Sequence, residues 1–385
     1  MRRLPLTVIL LGLTSFFTDV ASEAVFPLLP AFLAGLGAGP TFLGLLEGAA
    51  DALAAALKYL AGSWADRARA AGTRKAMVVG GYGLASLVRP LLALAAAPWH
   101  VLAVRLVDRT GKGLRSAPRD ALIADSVPAE DSGRAFGLHQ AMDHAGAVVG
   151  PLLATGLVAA GVEVRTVFAL TLVPGLLAVA SALATREPPR VQAVDAAAPR
   201  EPLAPRLRQL LLVCALFAVA NSSDAFLLLR MGELGAPAAW LPLVWLTLNA
   251  SRMVWTARGG VWADRYPRHR LLAAGWALYA LCYLLLAAVP GPAAGWAVIA
   301  VYGACAGLTE PAEKALVKTL SSPGQRARAF GAFHGLTGAA AIPAGLLTGA
   351  LWQSFGAGVA LATCGALAAV ASGLALAWAR GGAAR

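Results

Sequence analysis

Twelve apolar segments, most of them about 20 residues long, divide this chain, and a polypeptide patterned in that way has few ways to fold. They run at 6–32, 41–61, 76–97, 99–118, 135–160, 164–184, 208–230, 238–257, 271–289, 294–318, 330–351 and 357–379. A helix needs about 20 apolar residues to cross the hydrocarbon of a bilayer. With no water there to satisfy backbone N–H and C=O groups, the helix is the structure such runs adopt. In a chain of 385 residues, twelve helices leave room for short loops and ends and exclude a large soluble domain beside them. Composition agrees: 58% of residues are hydrophobic, 14% are charged, and the mean hydropathy is +0.68. The expectation is an all-α membrane protein with 12 transmembrane helices.

A net charge of +12 raises the question of nucleic acid. The Lys and Arg residues, however, punctuate the apolar runs and form no basic stripe, so no nucleic-acid partner is expected. Cys214, Cys282, Cys305 and Cys364 stand singly inside apolar stretches, without the close pairing of a zinc or redox motif, and read as small buried hydrophobes. The start, Arg2-Arg3 before an apolar run, has the form of a signal peptide. The run continues through Phe16, Phe17 and Val25 to Leu33 without a small-residue cleavage site, which makes it the first membrane helix.

The six segments on each side flank a polar stretch at 186–207 that carries Pro188, Pro189, Pro199, Pro202 and Pro205. It reads as an extended cytoplasmic linker between bundles at 1–185 and 208–385. Lys and Arg are retained on the cytoplasmic side. Arg67, Arg69, Arg74, Lys75, Arg119, Arg134, Arg265, Arg268, Arg270, Arg326 and Arg328 fall in alternate loops, while the opposing loops hold little besides Arg165 and Arg230. Both termini are therefore expected in the cytoplasm.

The halves also repeat each other. Gly62-Ser-Trp-Ala-Asp66-Arg67 returns as Gly260-Val-Trp-Ala-Asp264-Arg265, and Arg134-Ala-Phe-Gly-Leu-His139 as Arg328-Ala-Phe-Gly-Ala-Phe-His334, each after just under 200 residues. His139 and His334 are read as repeat-equivalent. Each motif holds the same place in its half, so the chain reads as a duplicated six-helix unit of the kind that builds a midplane site between repeats.

On these residues the chain resembles the major facilitator superfamily of secondary transporters, over essentially its whole length. The loop signature after the second span is similar to Gly62, Asp66, Arg67, Gly72, Arg74 and Lys75, with about three extra residues between Arg67 and Gly72. A span-4 motif resembles Arg105, Gly111 and Gly113. The antiporter signature of span 5 is similar to Gly137, Gly146, Gly150 and Pro151, with Ala154-Thr155 in place of its trailing Gly-Gly. The resemblance implies two pseudo-symmetric six-helix bundles, a gating role for Gly62, Asp66, Arg67, Gly260, Asp264 and Arg265, and export in exchange for protons. Small residues at four-residue spacing also let helices approach closely in any polytopic protein, and proline bends a helix.

Charge inside the spans is the remaining signal, since each charged side chain near the bilayer centre costs about 3 kcal/mol. Asp19 and Glu23 lie one turn apart on span 1, and Glu47 and Asp51 have the same spacing on span 2. Arg105, Asp108, Arg109, Lys112 and Arg115 line span 4, and His139, Asp143 and His144 belong to span 5. The second half adds Asp224, Asn249, Arg252, Glu310, Glu313 and Lys314. Static ion pairing between helices is one reading. In the superfamily, spans 1, 4, 7 and 10 line a central cavity, which by resemblance puts Asp19, Glu23, Arg105, Arg109, Asp224 and Glu310 there.

Proton coupling needs a carboxylate that exchanges its proton for a cation partner. Asp19, Glu23 and Arg105 are the first candidates, with Asp108, Arg109, Asp143 and Glu310 behind them. Gly111-Lys112-Gly113 lacks the leading Gly and the Ser or Thr of a phosphate loop. Asp19, Glu23 and His334 offer donors for a divalent metal, which would make the chain a ferroportin-like exporter. The cations of span 4 suit an organic or phosphorylated anion. The sequence reading is a proton-coupled exporter of a small molecule in the inner membrane, monomeric, with lipid, solute and protons as partners, and with no catalytic residue, cofactor or resident metal expected.

Overall fold

The computed structural model describes residues 4–38, 40–67, 72–188, 202–237 and 240–383. Among them the chain is helical, and twelve long helical spans follow one another. The first, α1, is Leu6–Val25, prolonged by a 3-10 turn Phe26–Leu28 and a short helix Leu29–Gly35. Then come α2 (Pro40–Arg67), α3 (Thr73–Val88, running into a 3-10 stretch Arg89–Leu94), α4 (Pro98–Ser126), α5 (Ser132–Ala159) and α6 (Val164–Leu170 and Leu172–Ala184). The second six are α7 (Pro205–Ala220 and Ala225–Glu233), α8 (Leu241–Arg265), α9 (Arg268–Ala288) and α10 (Pro292–Leu320), then α11 at 326–355 and α12 at 357–383.

The last pair is one continuous helical stretch, Arg326–Ala383, in which Gly356 has φ +84°. A residue with a Cβ is strained there, so glycine makes the turn between the two spans. Eight of the helical stretches are apolar enough to cross a membrane by length and composition, that long hairpin among them. The helices Pro40–Arg67, Pro98–Ser126 and Leu241–Arg265, which are not among the eight, carry charged residues within their length. Those charges set the candidate site.

Several helices run past their apolar segment. α4 reaches Ser126 and α8 reaches Arg265, because the backbone ladder continues where the hydropathy ends. α7 is the opposite case. Its expected single run at 208–230 is broken at Asn221-Ser222-Ser223-Asp224, where short polar side chains compete for backbone hydrogen bonds. In α3, Pro90 removes a donor, and the helix gives way to the tighter 3-10 form. Most of the expected 186–207 linker lies outside the described residues.

The chain divides into two compact units. Unit 1 holds residues 1–128, 142–201 and 322–335, and unit 2 holds 129–141, 202–321 and 336–385. Each unit therefore contains the opening turns of a helix from the other sequence half, α11 in unit 1 and α5 in unit 2. Unit 1 has a core of Val25, Leu29, Leu33, Leu46, Leu92, Val101 and Phe168. Unit 2 is built around Leu227, Met231, Leu248, Tyr279, Tyr283, Leu286 and Tyr302. Outward-facing leucines such as Leu87, Leu94, Leu152, Leu212 and Leu346 stay exposed, as lipid-facing positions do.

Candidate functional site

In unit 1, α5 lies against α1 at two glycines. A Cβ on Gly146 would come within 2.5 Å of Phe16 O and 2.8 Å of Asp19 Cβ, and one on Gly150 within 2.7 Å of Val20 O and 3.1 Å of Glu23 Cβ. Small residues at this spacing let two helix backbones meet. Here they bring α5 against the two carboxylates of α1. Ser15 Oγ donates to Asp143 Oδ1, and the Asp143 side chain hydrogen-bonds Asp19. Lys112 of α4 is the cation facing Asp19, and Lys112, Arg109 and Arg105 face Glu23. Two carboxyls within hydrogen-bond reach hold a proton between them more readily than two separated ones. Gly137, Gly146 and Gly150 thus have packing roles, and Pro151 lies inside the uninterrupted helix Ser132–Ala159.

The other charges of α4 are engaged by its neighbours. Arg89 Nη2 of α3 donates to Asp108 Oδ1 at 2.6 Å, both side chains buried, which makes Asp108 half of an ion pair between α3 and α4. The Arg115 guanidinium sits 4.2 Å over the Tyr82 ring. Arg109 Nε lies 3.8 Å from Asp51, which is 72% exposed, so that pair is loose. Gly111 lets α4 approach α3, where a Cβ would meet Gly81 O at 2.4 Å, and Gly113 does the same for α2 at Leu57 Cβ. The side chain of Glu47 lies outside the described ones.

Two further constellations tie helix N-termini. In unit 1, Asp66 at the end of α2 accepts the backbone N–H of Arg328 at 2.7 Å and of Ala327 at 3.3 Å, the first turn of α11. The same carboxylate accepts Arg74 Nη2 at 2.6 Å, and Arg74 Nη1 reaches Asp125 at 2.5 Å. Arg326 also donates to Asp125. In unit 2, Asp264 at the end of α8 accepts Gly133 N–H at 2.6 Å and Arg134 N–H at 2.8 Å, the first turn of α5. Arg268 lies 3.7 Å from Asp264 and donates to Thr319 Oγ1 at 2.6 Å. A carboxylate at the positive end of a helix is a stabilising N-terminal cap.

Glycines bring the helices close enough for these caps. A Cβ on Gly62 would stand 2.3 Å from Ala327 O, and one on Gly260 2.6 Å from Gly133 O. Arg67 and Arg265 are exposed, and the cation of each tie is Arg74 or Arg268.

The ties fix the repeat register. Arg134 pairs with Arg328, Arg74 with Arg268 and Asp125 with Thr319, each 194 positions apart. That register matches Gln140, not His139, with His334. Reading the two histidines as equivalent was one residue out, because the two copies differ by one residue before the histidine.

His334 Nε2 lies 2.7 Å from Asp120 Oδ2 of α4, and Arg119 holds the other oxygen at 3.0 Å. In unit 2, Gln140 donates to Glu310 at 2.8 Å and accepts Lys314 Nζ at 2.7 Å. Asp224, at the α7 break, takes Arg252 in a two-point ion pair at 2.8 and 2.9 Å. Tyr302, Tyr283, Tyr279 and Ser222 complete that buried network.

Among the described residues no three of His, Cys, Asp or Glu form a group that could hold a metal ion. Asp19, Glu23 and His334 are therefore not brought together as ligands, and His334 has Asp120 instead. Sequence reasoning also missed Arg89 and Asp125. Arg89 is a lone cation inside the third apolar segment, and intramembrane charge was the signal that could have found it, whereas Asp125 stands near Arg119 and Asp120 at the end of α4, where neighbouring charges hide the specific partner.

Long apolar helices in a duplicated arrangement, with a charged cluster buried between α1, α4 and α5, define a polytopic membrane carrier. The sequence profile of the Major Facilitator Superfamily matches residues 11–258 and 258–383, and the chain belongs to that family. An uncharacterised MFS-type transporter of Methanocaldococcus jannaschii is 30% identical over 361 residues, 91% of this chain and 90% of the relative. The multidrug resistance protein MdtH of Edwardsiella ictaluri is 32% identical over 136 residues, 35% of this chain and 33% of its own length.

Among solved structures, the human organic anion transporter TETRAN matches with a TM-score of 0.79 at 16% identity, covering 96% of this chain and 99% of that one. A bacterial homologue of the iron transporter ferroportin in an outward-facing state matches at 0.77 and 15%, covering 97% and 99%. At these identities the structural likeness speaks for the fold. The protein is a multi-pass membrane transporter of the superfamily, whose members carry small-molecule solutes.

Proposed function

We propose that this transporter exports a small organic solute in exchange for protons, by alternating access, as a monomer in the inner membrane with both termini in the cytoplasm. Its halves are the bundles at 1–185 and 208–385, joined by the linker at 186–207. The observation that carries the reading is the meeting of Asp19, Asp143 and Ser15 where Gly146 lets α5 touch α1, with Lys112 facing the pair. A proton placed between Asp19 and Asp143 removes one counter-charge from Lys112. Loss of that proton restores it. Solute and proton thus act on one set of charges, which is the physical content of coupling. Glu23, with Arg105 and Arg109, extends the site along α1 and α4.

The direction of transport rests on the span-5 glycines and on the partial matches to multidrug resistance proteins and to a puromycin resistance protein of Streptomyces alboniger, 38% identical over 98 residues, 25% of this chain and 19% of its own length. We assign Asp66 and Asp264 to the ties that open and close in the transport cycle, with Gly62 and Gly260 as their packing surfaces. Asp224 and Glu310 hold helices of unit 2.

The test is internal pH in proteoliposomes under an imposed proton gradient, challenged in turn with lipophilic cations and antibiotics, organic and phosphorylated anions, and divalent metals. Proton movement set off by an organic compound is expected, with at least a tenfold loss in Asp19→Asn and Asp143→Asn. Wild-type rates and pH dependence in both variants would refute the assignment. A response confined to metals or to anions would move the substrate class.

A further inference from the structure

We propose that His334 and Asp120 form a second proton-binding site, one that holds α11 against α4 more tightly when loaded than when empty. The proposal rests on reading the Asp66 tie as a moving part of a transporter. Asp120 is fully buried, with Oδ1 taken by Arg119 and Oδ2 by His334 Nε2 at 2.7 Å. A neutral imidazole gives that oxygen one hydrogen bond. A protonated imidazole makes it a charge-assisted ion pair, the stronger form. His334 lies six residues beyond Arg328, about 9 Å along the same helix, so whatever strengthens its bond to Asp120 also secures the turn capped by Asp66.

Charged and titratable groups face this turn of α11 from α2, α4 and α5. Asp66, Arg74, Asp125 and Arg326 pair with one another. From α4, Arg119 and Asp120 face the imidazole, and Arg115 stacks on Tyr82 of α3, whose hydroxyl lies 3.3 Å from Arg119. From α2, Tyr59 packs on Gly335 and the Lys58 carbonyl on Gly331, while the Lys58 ammonium lies in the field of Arg119. From α5, Asp143 acts on Arg119 as well. Histidine is the side chain whose charge ordinarily changes between pH 5 and 8.

The repeat supplies the control. The same register in unit 2 holds Gln140, an amide, between Lys314 and Glu310. At this one position the first tie carries an imidazole and its mate an amide. Because the ion pair exists where His334 carries its proton, proton binding and closure of the α11 tie reinforce each other. An acidified cytoplasm would hold the tie shut.

The experiment is hydrogen–deuterium exchange of the full-length protein in nanodiscs from pH 6 to pH 8, corrected for the chemical exchange rate. It follows residues 327–335, with 133–141 as the internal reference. In the wild type, exchange at 327–335 should rise about tenfold beyond the correction, the scale of one charge-assisted bond. His334→Gln, which installs the side chain that the fold already carries at position 140, should abolish the rise, and so should Asp120→Asn. A rise that persists in both variants, no rise in the wild type, or an equal rise at 133–141 would overturn the proposal. The readout needs no solute. If transport proves not to involve protons, the coupling reading falls and this one stands or falls by the exchange data.

Discussion

In unit 1 the N-terminus of α11 is held by four charges in series, Arg326, Asp125, Arg74 and Asp66, with His334, eight residues beyond Arg326, on Asp120 of α4. In unit 2 the N-terminus of α5 is held at the same positions by Ser132, Thr319, Arg268 and Asp264, with Gln140 and Lys314 in place of the histidine and carboxylate. The backbone scheme is shared, a carboxylate capping the first turn of a helix from the other half. The side chains differ, so one tie depends on charge pairing and the other mainly on cap hydrogen bonds and neutral contacts. A duplicated fold therefore leaves each copy free to vary the side chains of its tie, provided that the cap and the close-packing glycine are kept.

The largest effect that would sharpen this contrast is expected from Asp66→Asn. It removes a buried charge shared by Arg74 and the α11 cap, and breaking such a pair costs about 3–5 kcal/mol. Exchange at 327–335 should rise more than 100-fold. Asp264→Asn keeps one cap bond and breaks only a 3.7 Å ion pair, so exchange at 133–141 should rise by about tenfold or less. Equal responses would abolish the distinction between the ties.

Gly62→Ala and Gly260→Ala probe what the ties share. Each adds a methyl at 2.3 or 2.6 Å from a carbonyl oxygen of the capped helix, and overpacking of this kind costs about 1–3 kcal/mol. Similar losses of roughly tenfold in transport rate are expected for the two. A tolerated alanine at either site would show that this close approach is not needed.

The smallest effect is expected from Thr319→Asp, which gives Arg268 the carboxylate that Arg74 already has. Exchange at 133–141 should slow about threefold, in keeping with an exposed to half-buried ion pair. No change, or acceleration, would mean that charge at this register is not what separates the units.

Part of the candidate site is legible in the sequence. Asp19 and Glu23 were marked by depth and spacing, and Gly146 and Gly150 by a motif, but that these glycines lie on those carboxylates is a fact of helix crossing. Asp143 reads in sequence as one of three ionisable residues in the fifth apolar segment, and its contact with Asp19 follows from where α5 meets α1. Asp108 looks the same as its neighbours in a list of buried charges, yet Arg89, from a different helix, takes it out of the central cluster.

Sequence alone determined the number of spans and the recurrence of the Gly-x-Trp-Ala-Asp-Arg motif, because hydrophobic length and internal repetition are local or periodic properties; that Asp66 and Asp264 cap the first turns of α11 and α5 came from the fold. Tertiary structure decided which charges pair, that His334 stands opposite Gln140 and takes Asp120, and that α7 breaks at Asn221–Asp224. Pairing in low dielectric depends on distances of a few ångströms between helices far apart in the chain, and no spacing along the chain encodes them.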